Sequence, residues 1–242
     1  MRLFTVTCAV LFLSSNLYAE EKCSTEVKLL LSPRTVQAVI TSLKFEKETT
    51  GRVYFFDTQG LDLLKQGAIV RVRQGGTNDL TIKVRVPESN EQVDATQLPE
   101  HFPCEINRTG AGVDTDYSVQ RKYKALQALE MGNDIADSLS PAQKQLLEEA
   151  HVSIDWSQIE RVANVKTTKW ETTAQSPFRK LTLELWEWPA GSVLEISAKA
   201  APDGGYPELQ RLVVTKRLVL SANQANKTSV VLEKGLTQHN PR

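Results

Sequence analysis

Basic side chains recur at every second residue in two short segments of the chain. Arg71 and Arg73 are separated by one apolar residue, and so are Lys83 and Arg85. Because side chains two residues apart on a strand share one face of a sheet, each segment is expected to present two cations on the same side. Such a face is suited to holding an anion through charge-assisted hydrogen bonds.

The two basic segments are predicted to form a β-hairpin. Val70 and Val72 alternate with the arginines, Ile82 and Val84 alternate with the second basic pair, and turn-forming residues occupy 75–79. If the apolar faces coincide, even-numbered residues lie opposite even-numbered ones and the four cations share one surface. Like charges in that position destabilise a bare hairpin, so carboxylates or a bound anion must neutralise them. The alternative is the solvated outer face of an amphipathic hairpin.

Other predicted strands carry polar faces that extend this surface. They run from Thr25 to Leu31, Arg52 to Phe56, Glu160 to Glu171, Arg179 to Trp188 and Val193 to Lys199. With the hairpin, their polar faces collect seven cations and three carboxylates, which are Lys28, Arg71, Arg73, Lys83, Arg85, Lys166, Lys199, Glu26, Glu184 and Glu195. If these faces turn inward, the lumen carries an excess of about four positive charges, which suits an extended polyanion such as triphosphate.

The elements predict an α+β fold: an antiparallel, closed or nearly closed β-barrel that forms a tunnel, with helices packed outside. Predicted helices begin at Ser32-Pro33 and at Ser140-Pro141, where a cap precedes proline, and others cover Lys122 to Met131 and Tyr206 to Leu220. A further short strand is predicted at Cys104 to Asn107, and a last segment at Thr228 to Leu232.

The N-terminus is typical of a secretory signal. Arg2 supplies the positive charge, Leu3 to Leu13 is apolar, and Ala19 ends a short polar region, so residues 1–19 are predicted to be removed. Residues 20–242 are then expected to form a single domain in the periplasm or outside the cell, without stable membrane insertion. An uncleaved anchor is the alternative, because Leu17 departs from the small residue favoured before a cleavage site.

Two cysteines remain after signal removal, Cys23 and Cys104. An even pair in an exported protein predicts a disulfide, and two buried free thiols are the alternative. The chain has 29 basic and 29 acidic residues, so it lacks the broad positive charge of a nonspecific nucleic-acid binder, and no nucleic-acid partner is expected. It contains no P-loop, no Rossmann glycine pattern and no Gly-x-Ser-x-Gly elbow.

The order of these segments resembles the CYTH superfamily, the triphosphate tunnel metalloenzymes. The resemblance lies in Glu26-Val-Lys28, Tyr54 to Thr58, Leu61 to Leu64, Gly67 to Arg73 and Leu80 to Lys83, followed by Glu184, Glu195 and Lys199 in the late strands. It implies that the basic residues Lys28, Arg71, Arg73, Lys83, Arg85, Lys166 and Lys199 bind a phosphate chain. It also implies that Glu26, Glu184 and Glu195 hold Mg²⁺ or Mn²⁺, and that Glu184 and Glu195 are catalytic and position a water.

This chain departs from the family pattern at one place. Ser24 stands where the E-x-E-x-K motif of the first strand has its first glutamate, so one carboxylate is missing. Phosphate binding is therefore better supported than metal-dependent hydrolysis. Three hypotheses follow: a triphosphate- or polyphosphate-binding tunnel that hydrolyses its ligand, a noncatalytic tunnel that binds phosphate or another small anion, and an exported structural β-rich domain.

Overall fold

Nine β-strands form a closed barrel in the computed structural model of the protein, which describes residues 23–76, 78–87, 101–123, 132–175, 177–201 and 204–236. The strands are β1 (Cys23–Leu31), β2 (Lys47–Asp57), β3 (Ala68–Gln74), β4 (Asp79–Pro87), β5 (Cys104–Thr109), β6 (Gly112–Lys122), β7 (Glu160–Gln175), β8 (Phe178–Trp188) and β9 (Gly191–Ala200). Around the barrel they follow the order β1, β5, β6, β4, β3, β2, β7, β8, β9, and β9 pairs with β1. The predicted α+β barrel is confirmed, although β1 and β5 pair in parallel.

The basic hairpin has the register that its alternation predicts. Val70 lies opposite Ile82, Val72 opposite Leu80, and Arg71 opposite Thr81, so even-numbered residues face even-numbered ones. Val70, Val72, Ile82 and Val84 belong to an apolar cluster outside the barrel. The basic side chains consequently point to the interior, and the alternative of a solvated outer hairpin face is wrong.

Helices cover the apolar outside of the barrel. They are α1 (Val36–Leu43), α2 (Asp62–Lys65), α3 (Gly132–Ser138), α4 (Pro141–Glu149), α5 (Tyr206–Thr215) and α6 (Lys227–Leu236). Helices α1 and α5 pack Leu43 and Leu209 against one side of the sheet, and α4 packs Leu146 against the hairpin. Ser140 caps α4 as its sequence predicts, because its side chain accepts a hydrogen bond from the backbone of Gln143.

A disulfide joins Cys23 to Cys104, as predicted, where β1 and β5 run in parallel. The two residues are register partners, and their Cα atoms lie 4.7 Å apart. Because 81 positions separate them in sequence, the bond ties the first strand to the middle of the chain. The bond therefore crosslinks β1 and β5 at the start of their pairing, which we call the barrel seam.

The segment after α5 forms α6, which contributes to an apolar cluster at one end of the barrel. Val230, Val231 and Leu232 pack there with inward-facing strand residues, which include Val53 and Trp186. The same cluster contains Leu30 of β1 and Ile69 of β3, strands on opposite sides of the barrel, so the cluster crosses the barrel interior. Helix α6 therefore closes one end of the tunnel.

Two predicted segments lie wholly or mostly outside the described residues. The helix predicted at Lys122 to Met131 is wrong at its start, because Lys122 ends β6, and most of its remainder lies outside the described residues. The predicted signal, residues 1–19, also lies outside them. None of the helices in the described ranges combines the length and apolar character that a membrane span requires.

Candidate functional site

The barrel encloses a cavity of about 1140 Å³ that is lined by inward-facing side chains. Nine of the predicted site residues line it: Glu26, Lys28, Arg71, Arg73, Lys83, Arg85, Glu184, Glu195 and Lys199. Alternation along each strand explains this, because a strand points either its odd-numbered or its even-numbered side chains to the interior. We call this odd or even numbering the parity of a residue. The fold thus brings together side chains from β1, β3, β4, β8 and β9.

Lys166 is the exception. It is exposed, does not line the cavity, and lies 3.4 Å from Glu187 on the outside of the barrel. In β7 the odd-numbered Thr167 and Lys169 face inward, so Lys166 has the wrong parity for a lumen residue. The prediction that Lys166 faces the phosphate site is therefore wrong, and Lys169 takes its place in the lumen.

Aspartates neutralise most cations of the hairpin. Asp116 on β6 contacts Lys83 at 2.7 Å and Arg85 at 2.8 Å, and its side chain is fully buried. Asp79, also fully buried, accepts hydrogen bonds from Nε of Arg73 at 3.0 and 3.1 Å. Burial alone would raise the pKa of Asp116, but the adjacent lysine and arginine outweigh it and hold that pKa well below its usual range. The carboxylates that the hairpin was predicted to need are present.

Arg71 has no such carboxylate contact among the described residues. Its Nε is buried without a hydrogen-bond partner, and its side chain lines the middle of the cavity wall between Ile69 and Arg73. Burial, followed by the repulsion of Arg73, lowers the pKa of Arg71 to about 10. Lys83 also has a lowered pKa, because burial and the nearby Lys28 and Arg71 outweigh Asp116. Burial thus disfavours the charged forms of Arg71 and Lys83, and an anion bound beside them would stabilise those forms.

A second cluster forms around Lys28 on β1, and Asn107 links it to Asp116 beside the hairpin. Its ammonium lies 3.0 Å from Glu26 and 3.3 Å from Glu105, and it also donates to the side chain of Asn107. Lys199 pairs with Glu105 as well. Burial would raise the pKa of Glu26, but Lys28 and Lys199 lower it to about 2. Glu26 is therefore held as a carboxylate that is already paired.

The third cluster contains a lysine that sequence reasoning missed. Lys227, the first residue of α6, lies 2.7 Å from Glu195 and also pairs with Glu184. Its Nζ sits 4.6 Å from the centroid of the Trp186 ring. Burial would raise the pKa of Glu184, but Lys227 lowers it to about 2. The signal in the sequence was Asn226, a helix-capping residue, placed just before Lys227 and the apolar run from Val230 to Leu232.

The lumen keeps an excess of positive charge, as the sequence predicted, although several of its members differ from those predicted. Twelve basic side chains line it in the described part of the chain: Lys28, Lys47, Arg52, Arg71, Arg73, Lys83, Arg85, Lys169, Arg179, Lys180, Lys199 and Lys227. Nine carboxylates line it or pair with those cations: Glu26, Asp79, Glu105, Asp114, Asp116, Glu171, Glu184, Glu195 and Glu208. Twelve cations and nine carboxylates leave an excess of three positive charges, close to the predicted four. The carboxylates include Asp114 and Asp116 on β6, a strand that was not predicted from the sequence.

A model of the CYTH domain family matches residues 23–229 of the chain. The chain belongs to the CYTH family. No curated protein sequence matches it significantly. CYTH proteins bind triphosphate-containing small molecules, and the CYTH tunnel enzymes generally use divalent metal ions.

Two solved CYTH-like structures resemble this barrel. One is a candidate adenylyl cyclase from Hippeastrum described as having a dominant triphosphatase activity, with a TM-score of 0.61, 18% identity, and coverage of 87% of this chain and 95% of that one. The other is a candidate adenylate cyclase from Bacillus halodurans, with a TM-score of 0.60, 17% identity, and coverage of 86% and 96%. At such identities the likeness shows the shared fold.

The carboxylates of this CYTH barrel do not fit a divalent-metal site in their present arrangement. Glu26 is paired with Lys28, and Glu184 and Glu195 are both paired with Lys227. Ser24, on the first strand, offers a hydroxyl to Lys199 in place of a carboxylate. Within the described ranges no group of three or more histidine, cysteine, aspartate or glutamate side chains is placed to hold a metal. Hard cations need several free oxygen ligands, and here lysines occupy them.

Proposed function

We propose that the tunnel binds the phosphate chain of a triphosphate-containing or polyphosphate molecule. Arg71 carries the proposal. It is the cavity-lining arginine whose buried Nε lacks a partner, and burying such a donor without a partner costs roughly 1–3 kcal/mol. A bound anion would supply the missing acceptor.

The chemistry of the surrounding wall supports phosphate over a carboxylate or halide ligand. A guanidinium donates two parallel hydrogen bonds to one phosphate, and Lys83 adds a compact charge on the neighbouring strand. Arg73 and Arg85 flank this pair in the same cavity. A chain of phosphates could contact several of these cations at once, which a single small anion could not.

Calorimetric titration with tripolyphosphate tests the proposal. Arg71→Met should weaken binding by about 1.5–3 kcal/mol, the usual scale for a hydrogen bond to a charged group. The matched control is Arg211→Met, which removes an exposed arginine from α5 outside the barrel and should leave the affinity unchanged. Equal affinities of the two variants, or no binding by the native protein, would refute phosphate binding at Arg71.

Hydrolysis of the phosphate chain is the second candidate function. The triphosphatase activity described for the Hippeastrum protein favours it. In that case Glu184 and Glu195 would be the catalytic and metal-binding pair with Mg²⁺ or Mn²⁺, and they would first have to release Lys227. A phosphate-release assay with each metal decides this, and Glu184→Ala should abolish any release that the native protein shows.

We also propose that the mature protein works outside the cytoplasm. The signal-like segment 1–19 and the Cys23–Cys104 disulfide support this placement, because disulfides persist in oxidising compartments. Peptide mass mapping of the exported protein without reduction tests it. The expected mature N-terminus is Glu20, and a retained segment 1–19 would refute cleavage.

A further inference from the structure

Two glutamates face each other at the closed end of the tunnel. The register of β8 and β9 places Glu184 directly opposite Glu195, and both side chains point into the cavity. Like charges directly across a strand pair destabilise a sheet, and burial increases the effect. This pair therefore needs a cation of its own.

Lys227 provides that cation from within the chain. Its ammonium contacts both carboxylates, and its side chain is only 14% exposed, while that of Glu195 is 5% exposed. The Trp186 ring lies against the same ammonium. Two carboxylates and an aromatic face together satisfy a group that has three donors.

The position of this ammonium is fixed by α6. Lys227 begins the helix, and the Asn226 side chain caps it by accepting a hydrogen bond from the backbone of Thr228. Val230, Val231 and Leu232 are buried in the apolar cluster that closes the tunnel. Withdrawing the lysine far from the glutamates would require the helix to leave this cluster or the side chain to adopt another rotamer against Trp186.

We infer that this tunnel binds its phosphate anion without a divalent metal, with Lys227 supplying the positive charge between Glu184 and Glu195. The inference rests on the proposed phosphate-binding function. It agrees with Ser24, which leaves the first strand one carboxylate short of the family pattern, and with Glu26, which is paired with Lys28. A tethered lysine keeps the two facing glutamates paired whether or not metal is available.

Two titrations of the native protein test the inference. Tripolyphosphate affinity should agree within about twofold between buffers containing EDTA and buffers containing Mg²⁺. Manganese chloride alone should give no binding isotherm. Binding that requires metal, or a Mn²⁺ site in the native protein, would overturn the metal-free inference and leave phosphate binding intact, whereas no tripolyphosphate binding in either buffer would overturn both.

The Lys227→Met variant tests the role of the lysine itself. Without the ammonium, Glu184 and Glu195 become free oxygen ligands, so Mn²⁺ alone should now bind at least about tenfold more tightly than to the native protein. Lys234→Met, an exposed position on the same helix, is the matched control and should behave as the native protein does. A folded Lys227→Met variant that gains no affinity for Mn²⁺ would overturn the claim that this lysine occupies the metal position.

Discussion

Asp116 controls how much of the basic wall is available to an anion. It is fully buried, contacts Lys83 and Arg85, and accepts a hydrogen bond from Asn107. Both cations are therefore shared between this aspartate and any ligand. We therefore expect the affinity for the proposed phosphate ligand to depend on this competition as well as on the number of cations.

Asp116→Asn should separate binding from stability. The substitution removes one negative charge with little change in shape, so tripolyphosphate should bind about tenfold more tightly. The free energy of unfolding should fall by about 3 kcal/mol, because Lys83 loses its carboxylate partner and Arg85 is left with Asp114. Calorimetry and chemical denaturation measure the two effects. Asp137→Asn, at an exposed position of α3, is the control, and a variant that binds less tightly than native protein would contradict the competition.

The sequence predicted which residues face the lumen wherever apolar residues alternate regularly along a strand. The prediction failed where that alternation is absent. Arg71 and Lys83 lie in the lumen because regular apolar alternation fixed the face of their strands. Lys166 was misplaced because β7 is rich in polar residues and carries no clear alternation, so parity gave little guidance. Lys227 was missed because a helix residue enters the lumen only through long-range packing.

At the scale of elements, the β1–β5 pair is where the barrel departs from a simple antiparallel arrangement. The two strands run in parallel and are crosslinked by Cys23 and Cys104 at the start of their register. A crosslink between residues so far apart in sequence restricts the unfolded chain strongly. The disulfide therefore contributes to the stability of the seam beside Glu105 and Lys28.

Replacing both cysteines by serine should lower the free energy of unfolding by roughly 4 kcal/mol, the chain-entropy value for a loop of this length. Denaturant titration of the variant beside the native protein measures the loss. Native protein treated with a reductant should match the variant. An unchanged denaturation midpoint in both would show that the bond contributes nothing to stability.

Sequence periodicity revealed most elements but not β6 or the nature of α6. In β6 the apolar alternation is short, because Thr115 interrupts the outer face between Val113 and Tyr117. Tyr117 and Val119 pack against the apolar cluster outside the barrel, but both are only partly buried, so the signal in the sequence is weak. In α6 the buried Val230 and Val231 are adjacent, and a short apolar run does not distinguish a helix from a strand. The helical form of α6 depends on tertiary packing, because its apolar residues cover one end of the barrel.

At the scale of the whole molecule, the buried carboxylates link folding to pH. Glu26 and Glu184 have pKa values lowered to about 2 from the ordinary 4.5, because lysines outweigh the effect of burial. Both groups bind protons more tightly in the unfolded chain, so their stabilisation is complete above pH 4.5 and is lost as the pH falls towards 2. Asp114, whose pKa burial raises, acts in the opposite direction.

We expect the free energy of unfolding to fall by at least about 2 kcal/mol between pH 5 and pH 3. Denaturant titrations across that range measure the slope. Glu26→Gln removes one of the titrating groups and should make the decline shallower, while Glu148→Gln, exposed on α4, should not change it. A stability that is constant or rises towards pH 3 would contradict the assignment of these carboxylates as paired.

The proposed function requires that a phosphate chain lies inside the barrel, against Arg71. A crystal structure of the protein with tripolyphosphate tests this most directly. We predict phosphate oxygens within hydrogen-bond distance of the Arg71 guanidinium and the Lys83 ammonium, with the chain extending along the cavity. Tripolyphosphate bound only to the outer surface, or an empty tunnel at a saturating concentration of it, would contradict the account.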